Sequence, residues 1–301
     1  MKNYTLKISG AGNRFLLVDK SNFSVKALAN SWKKHSLQIN PSFEEFVNLA
    51  KEPLSYRKKF IKDLISLPDL SLADGLVVLQ NREDNKLYCD FYNKDGSTAE
   101  MCGNAACCVS MYKHWQSLIS NSFYFSETDR TILDKKNDES LTSDSFYFSE
   151  TEIFCAKGGG IIFDLPDPSI LDVNHSPSFS FINTGVPHGV IKCSKDWAFA
   201  DKAKLKKLAK ELRFKNIKGN KGMNVSFYQE IENHKLQAIT YERGVEDWTL
   251  ACGTGALATA LVYLHKQTNK VDTILVNMPG GELKVQTKPN LTLFSPIKKG
   301  F

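Results

Sequence analysis

The sequence predicts an α/β chain built as two similar halves, and three observations carry that expectation. Met101-Cys102-Gly103-Asn104-Ala105-Ala106 has a second copy in Ala251-Cys252-Gly253-Thr254-Gly255-Ala256. The likeness extends upstream, where Lys86-Leu87 to Tyr92-Asn93-Lys94 aligns with Lys235-Leu236 to Tyr241-Glu242-Arg243 at a constant offset, the second cysteine following one residue later. In each half, strand-like runs accompany one apolar helix that a cysteine opens. Two related halves of this kind place one site in the cleft between them, with the thiols approaching a ligand from opposite sides.

In chain order, Thr5-Leu6-Lys7-Ile8 and Phe15-Leu16-Leu17-Val18-Asp19 read as strands around a turn from Gly10 to Asn13. Residues 22 to 70 hold helical stretches, Phe43 to Ala50 and Tyr56 to Leu67, with apolar residues recurring at three and four. Leu76 to Leu79 and Leu87 to Tyr92 are strands, Lys94-Asp95-Gly96-Ser97 is a turn, and Cys102 opens a buried helix to about Trp115. Ser122-Phe123-Tyr124-Phe125-Ser126-Glu127-Thr128 then recurs residue for residue as Ser145 to Thr151. Both copies read as strands, and a local tandem duplication is the simplest account, since one copy fills one strand slot. Ala156 to Phe163 reads as a hairpin turn and strand, and Pro166-Asp167-Pro168 marks the expected boundary between halves. Phe179 to Asn183, Val190 to Lys192, Asn224 to Phe227 and Gln237 to Tyr241 are further strands; Cys252 opens the second helix, and three more strands finish an antiparallel pattern.

Composition narrows the function. The 301 residues, 42% hydrophobic and 24% charged, suffice for one large or two medium domains with a sizeable core. The first residues lack the apolar run of a signal peptide, and Ala256 to Leu264 is too short to span a bilayer, so a cytoplasmic protein without membrane partners is expected. The net charge of +6 comes from scattered residues. Lys202, Lys204, Lys206, Lys207 and Lys210 form the polar face of a helix whose other face carries Leu205, Leu208 and Leu212, so no nucleic-acid partner is indicated. The seven cysteines are an odd set without C-x-x-C pairs, which argues against a zinc site or a disulfide framework. Cys107 and Cys108, inside the first helix, read as packing residues. Cys102 and Cys252, on glycine-containing turns, sit where N–H groups and the helix dipole favour an anion, so both thiols are expected to ionise more readily.

Six segments in order carry a family resemblance: Gly10-Ala11-Gly12-Asn13-Arg14-Phe15, Phe91 to Gly96, Glu100-Met101-Cys102-Gly103-Asn104, Gly185-Val186-Pro187-His188, Met223-Asn224-Val225, and Tyr241 to Val245 leading to Ala251-Cys252-Gly253-Thr254-Gly255. The chain resembles diaminopimelate epimerases, cofactor-independent two-cysteine amino-acid epimerases, from Lys7 almost to its end. The resemblance implies two pseudo-symmetric domains, each a curved, mostly antiparallel sheet around a central helix: residues 1–168 with a returning strand at 288–301, and residues 169–287. It implies a diaminopimelate substrate, no cofactor and no metal; a homodimer is compatible with the sequence.

Residue by residue, the resemblance makes Cys102 and Cys252 the acid/base pair. Glu242 and Asn13 contact the reacting ammonium end, while Arg243 with Asn93 and Asn224 holds the distal amino-acid end. Backbone N–H groups of Gly103, Asn104, Gly253 and Thr254 cradle the carboxylate, and His188 tunes the thiols. Inversion at a carbon needs a base on one face and an acid on the other, and two thiols fit that need. The carbanion must be stabilised without a cofactor, and two helix N-termini aimed at the carboxylate supply preorganised donors, each typically worth about 3 kcal/mol in the barrier.

The chain departs from the family pattern at Val186 (Asn), Gly75 (Gln), Ala105 (Gly), Ala106-Cys107-Cys108 (Ala-Arg-Cys) and Trp248 (Glu), and one extra residue separates Glu242 from Cys252. These departures bear on distal-end selectivity, and Ala105 bears on the backbone of the anion cradle. Two alternatives stay open: a proline racemase or hydroxyproline epimerase, which shows His where Asn104 stands, and a non-catalytic binding protein on the same scaffold.

Overall fold

The computed structural model describes residues 5–19, 53–65, 72–81, 87–98, 102–122, 145–148, 151–156, 160–163, 165, 169–194, 201–217, 219, 222–268 and 271–299. The expected helix Phe43 to Ala50, residues 123–128 of the first repeat copy and the expected boundary Pro166 to Pro168 lie outside them.

The first half contributes β1 (Thr5–Gly10), β2 (Asn13–Asp19), α1 (Leu54–Ile65), β3 (Gly75–Asn81), β4 (Leu87–Asn93), α2 (Gly103–Ser122), β5 (Ser145–Phe148), β6 (Thr151–Ala156) and β7 (Gly160–Ile162). The second contributes β8 (Leu171–Val173), β9 (Phe179–Asn183), β10 (Pro187–Lys192), α3 (Lys202–Arg213), β11 (Asn224–Glu232), β12 (Lys235–Glu242), β13 (Asp247–Trp248), α4 (Gly253–His265), β14 (Thr273–Met278) and β15 (Gly281–Gln286). β16 (Thr292–Phe294) and β17 (Ile297–Lys299) close the chain.

The strand order repeats. Starting from the β1–β2 hairpin, the pairings run antiparallel, parallel, antiparallel, parallel, antiparallel through β6. Starting from the β9–β10 hairpin, the same alternation runs through β11, β12 and β14 to β15. Parallel neighbours need a crossover, and each of the four parallel pairs has one of the four described helices in its connection. The remaining pairs are antiparallel, so the fold is a mostly antiparallel sheet in two repeats. The halves meet where β16 pairs with both β15 and β7, and β17 returns to β1.

Alternation along the strands builds three layers in each half. On β2 and β3, Leu16, Val18, Leu76 and Val78 face Phe60, Ile61 and Leu64 of α1, while Phe15, Leu17, Val77 and Leu79 face the other core, which contains α2. In the second half, Leu205, Ala209 and Leu212 of α3 cover Phe179, Val225 and Phe227 from outside. α2 and α4 lie inside. Small residues such as Ala105, Ala106, Cys107 and Cys108 on the first, and Ala256, Ala258 and Ala260 on the second, let the sheets close around them. An all-round apolar helix such as α4 is stable only when buried in this way.

Two sequence expectations change. The first helix runs past Trp115 to Ser122, so the first residue of the first Phe-Tyr-Phe copy is helical and not the start of a strand. The second copy supplies β5, whose Tyr147 and Phe148 pair in parallel with Tyr88 and Cys89. Among the described residues no helix is long and apolar enough to cross a membrane.

Candidate active site

Each cysteine caps its helix. The Ala106 N–H reaches the Cys102 carbonyl at 2.9 Å and the Ala256 N–H the Cys252 carbonyl at 2.8 Å, closing the first helical turn in both halves. Cys252 is extended (φ −118°), and its Sγ accepts from the Gly255 N–H at 3.3 Å. The two helix tips touch through glycine. A Cβ built on Gly103 would lie 3.0 Å from the Gly253 Cα, and one on Gly253 would lie 2.9 Å from the Gly103 Cα. Only residues without a side chain allow both N-termini to meet at one point.

In front of that junction lies a cleft of about 340 Å³. It is lined by Cys102, Cys252, Asn13, Asn93, Gly103, Asn104, Asn224, Glu242, Arg243, Gly253 and Thr254. His188 stands behind the wall, fully buried, with Nε2 3.1 Å from Thr254 Oγ1 and 3.3 Å from Asn224 Nδ2. Thr254 Oγ1 is in turn 3.4 Å from Cys252 Sγ, which links the imidazole to the thiol through one hydroxyl.

Several polar side chains are already engaged. The Asn13 and Asn104 amides both donate to the Ala251 carbonyl, at 2.8 and 2.9 Å, and Ser295 Oγ donates to Asn104 Oδ1. They fix the segment leading to Cys252 and leave the Asn104 side chain spent on structure. Asn224 Oδ1 accepts the Arg243 N–H at 2.7 Å, and Glu242 Oε1 accepts from Thr249 Oγ1 at 2.5 Å.

The expectation of easily ionised thiols is corrected by the burial of the site. Desolvation pushes Cys102 up to about 12, with the Glu242 charge adding to it and the Ala105 and Asn104 N–H groups opposing it. Cys252 is raised well above its ordinary value by desolvation and then by Glu242, against hydrogen bonds from Thr254 and Gly255. Helix-tip donors act as predicted, but burial and a neighbouring carboxylate outweigh them. Glu242 is itself raised by desolvation, and burial with the Arg243 charge lowers His188 to about 3, so the imidazole is neutral at neutral pH. Among the described residues no three His, Cys, Asp or Glu side chains converge as metal ligands.

The departures have physical accounts. Val186, 6% exposed, gives the cleft an apolar wall. At Gly75 a Cβ would meet the Tyr92 carbonyl at 2.9 Å, so a longer side chain has no room. Ala105 is an ordinary helical residue without positive φ, so the helix start keeps its regular backbone. Trp248 packs edge-on against Tyr241 and Phe227 in the core under α3. The extra residue sits in the preceding turn: Tyr241 bridges to Trp248, whereas its counterpart Tyr92 bridges to Thr98.

Sequence reading missed Asp74 and Thr249. Asp74 lines the cleft and accepts three hydrogen bonds from Arg14, from its backbone N–H and two guanidinium nitrogens. Parallel register between β2 and β3 brings this pair together, and no local pattern announces it. Thr249, which lines the cleft, stands in the segment that leads to Cys252, and its hydroxyl could have been paired with Glu242 by position alone.

Comparison with solved structures defines the fold. A hydroxyproline epimerase from Agrobacterium vitis superposes with TM-score 0.56 at 12% identity, covering 99% of this chain and 90% of its own. A putative phenazine biosynthesis PhzC/PhzF protein from Clostridium difficile superposes with TM-score 0.55 at 9% identity, over 99% and 96%. This chain shares the fold of both. Sequence comparison is more particular: the diaminopimelate epimerase family model matches residues 180–294. A diaminopimelate epimerase of Helicobacter pylori (strain Shi470) is 34% identical over 84% of this chain and 77% of its own length. One from Aquifex aeolicus is 28% identical over 92% and 87%. The chain belongs to the diaminopimelate epimerase family and is an isomerase.

Proposed function

We propose that this protein converts LL-2,6-diaminopimelate to meso-diaminopimelate by proton transfer between two thiols, serving lysine and peptidoglycan precursor supply. The observation that carries the reading is the meeting of two cysteine-capped helix N-termini, through Gly103 and Gly253, at the floor of one cleft. The same reading divides the chain into residues 1–168 with 288–301, and residues 169–287, around that cleft.

One sulfur, as thiolate, takes the α-proton on its face of the substrate. The electron pair left on carbon spreads into the carboxylate, whose oxygens face the helix-tip N–H groups, and the other thiol delivers its proton to the opposite face. With both thiols raised at rest, the substrate must assist the ionisation. A bound ammonium beside Glu242 offsets the Glu242 part of the rise at Cys102 and Cys252, the smaller part beside desolvation, and so favours the thiolate in the filled cleft. Arg243, Asn93 and Asn224 hold the distal end, and the Arg243 guanidinium matches a carboxylate in two parallel hydrogen bonds.

The test is turnover by purified protein without added cofactor or metal. Interconversion of LL- and meso-diaminopimelate with no activity on proline is the expected result. Activity on proline but not on diaminopimelate would replace this reading with a racemase, and inactivity on both would leave a binding protein.

A further inference from the structure

We propose that Arg213, outside the cleft, is a positioning residue that holds Arg243 and Asn224 in register for the substrate's distal end; this rests on the reading of those two residues given above. Arg213 ends α3 and is 8% exposed, an unusual place for a guanidinium unless it is paired. Its Nε donates to Glu246 Oε1 at 2.9 Å, and a terminal nitrogen reaches the same oxygen at 2.8 Å. That oxygen also accepts the Gly244 N–H at 3.1 Å, next to Arg243.

The brace has a second arm. The Arg213 carbonyl accepts the Met223 N–H at 2.9 Å, immediately before Asn224. Gly222 (φ +83°) passes so close that a Cβ there would fall 2.3 Å from an Arg213 nitrogen. Side chain and backbone of one residue thus reach the two segments that join in the hydrogen bond from the Arg243 N–H to Asn224 Oδ1.

The turn needs that support. Glu246 has φ +55°, which a residue with a side chain rarely adopts and which the surroundings must hold in place. The shorter counterpart turn in the first half is closed by its own side chains: Asp95 Oδ1 accepts from the Ser97 N–H and Oγ, and Asn93 Nδ2 donates to Ser97 Oγ. The longer turn is closed by Tyr241 Oη donating to the Glu246 carbonyl at 2.6 Å and adds an ion pair from α3 to that closure.

Arg213→Gln tests the brace with two readouts. KM for diaminopimelate should rise about tenfold or more while kcat stays within about threefold, because distal positioning and not proton transfer is lost. Tryptic cleavage of the native protein at Arg243-Gly244, followed by mass spectrometry, should accelerate without any substrate present. Glu246→Gln removes the same ion pair from the exposed side and should reproduce both effects if Arg213→Gln fails to fold. Arg213→Lys should recover part of the KM. Unchanged KM in folded variants, or a fall in kcat with KM unmoved, would overturn the assignment, even if stability drops. Should the unmodified protein fail to turn over diaminopimelate, the functional reading falls, and an unaltered tryptic rate would then dismiss the brace separately.

Discussion

At the first helix tip Asn104 spends its amide on the Ala251 carbonyl, whereas at the second the Thr254 hydroxyl lies between Cys252 Sγ and His188 Nε2. The position two residues beyond each glycine differs as well. Ala105 fits the first helix, but a Cβ on Gly255 would meet Thr240 Oγ1 at 2.6 Å and Cys252 Sγ at 3.2 Å. Upstream, neutral Asn93 faces the cleft from one half and acidic Glu242 from the other. The two halves present similar helix N-termini to the cleft, and the two thiols on them have different surroundings. Burial and then Glu242 oppose ionisation at both thiols, and N–H donors of the helix tips favour it at both. The two sulfurs are alike in backbone and unlike in their polar neighbours.

The largest expected effect comes from removing either sulfur. Cys102→Ala and Cys252→Ala should each lower the rate of inversion by at least about 10²-fold, since under the proposed mechanism each supplies the acid/base group of one face. Circular dichroism should show the fold retained. Near wild-type inversion by one of them would break the symmetry of roles.

Next come the glycines that let the tips meet. Gly103→Ala or Gly253→Ala forces the helices apart, with an expected loss of about 1 to 3 kcal/mol in urea unfolding and about 10²-fold in kcat/KM. If one variant is silent and the other severe, the tips tolerate displacement unequally, which would sharpen the comparison.

How much of this was legible beforehand follows from what is local. Both cysteine turns and their upstream strands could be read because a helix cap and a strand end leave marks within a few residues, whereas cleft-lining candidates such as Asn13, Asn224 and Arg243 came from the family resemblance. The Arg14–Asp74 and Arg213–Glu246 pairs could not, because parallel register and an outer helix bring together residues far apart in the chain. Thiol ionisation was misread for a related reason: the helix tip is visible in sequence, but the burial that outweighs it belongs to the closed fold. Even the end of α2 escaped, as nothing at Trp115 stops a helix and no glycine or proline intervenes before Ser122.

A smaller effect concerns the distal end. Arg243→Lys keeps the charge and loses the planar fork, so diaminopimelate affinity should fall by about 1.5 to 3 kcal/mol, with the alkylation rates of both cysteines barely changed. Unchanged affinity, measured by calorimetry, would remove Arg243 from the site.

The smallest effect is on stability and belongs to the second half alone. Burial holds His188 near 3 in the fold against an ordinary value of 6.5, so as pH falls the unfolded chain takes up the proton first. Its contribution is therefore full above about 6.5 and is lost as pH falls toward about 3. His188→Gln should flatten that stretch of the Tm against pH curve, while the first half, with Asn104 in place of Thr254, offers no matching partner. An unaltered slope would show that other groups govern the acid limb.

Two one-sided acid/base groups make their clearest mark in the origin of the transferred hydrogen. In deuterated water, LL-diaminopimelate should be sampled at low conversion and both isomers analysed for label at the α-carbons. The account predicts that the meso product carries one solvent deuterium at the inverted carbon while recovered LL substrate carries none, because the proton removed by one sulfur is replaced by the deuteron of the other. Product that keeps the substrate's own hydrogen, or recovered substrate labelled as fully as product, would point to a single base serving both faces and would contradict the two-thiol site.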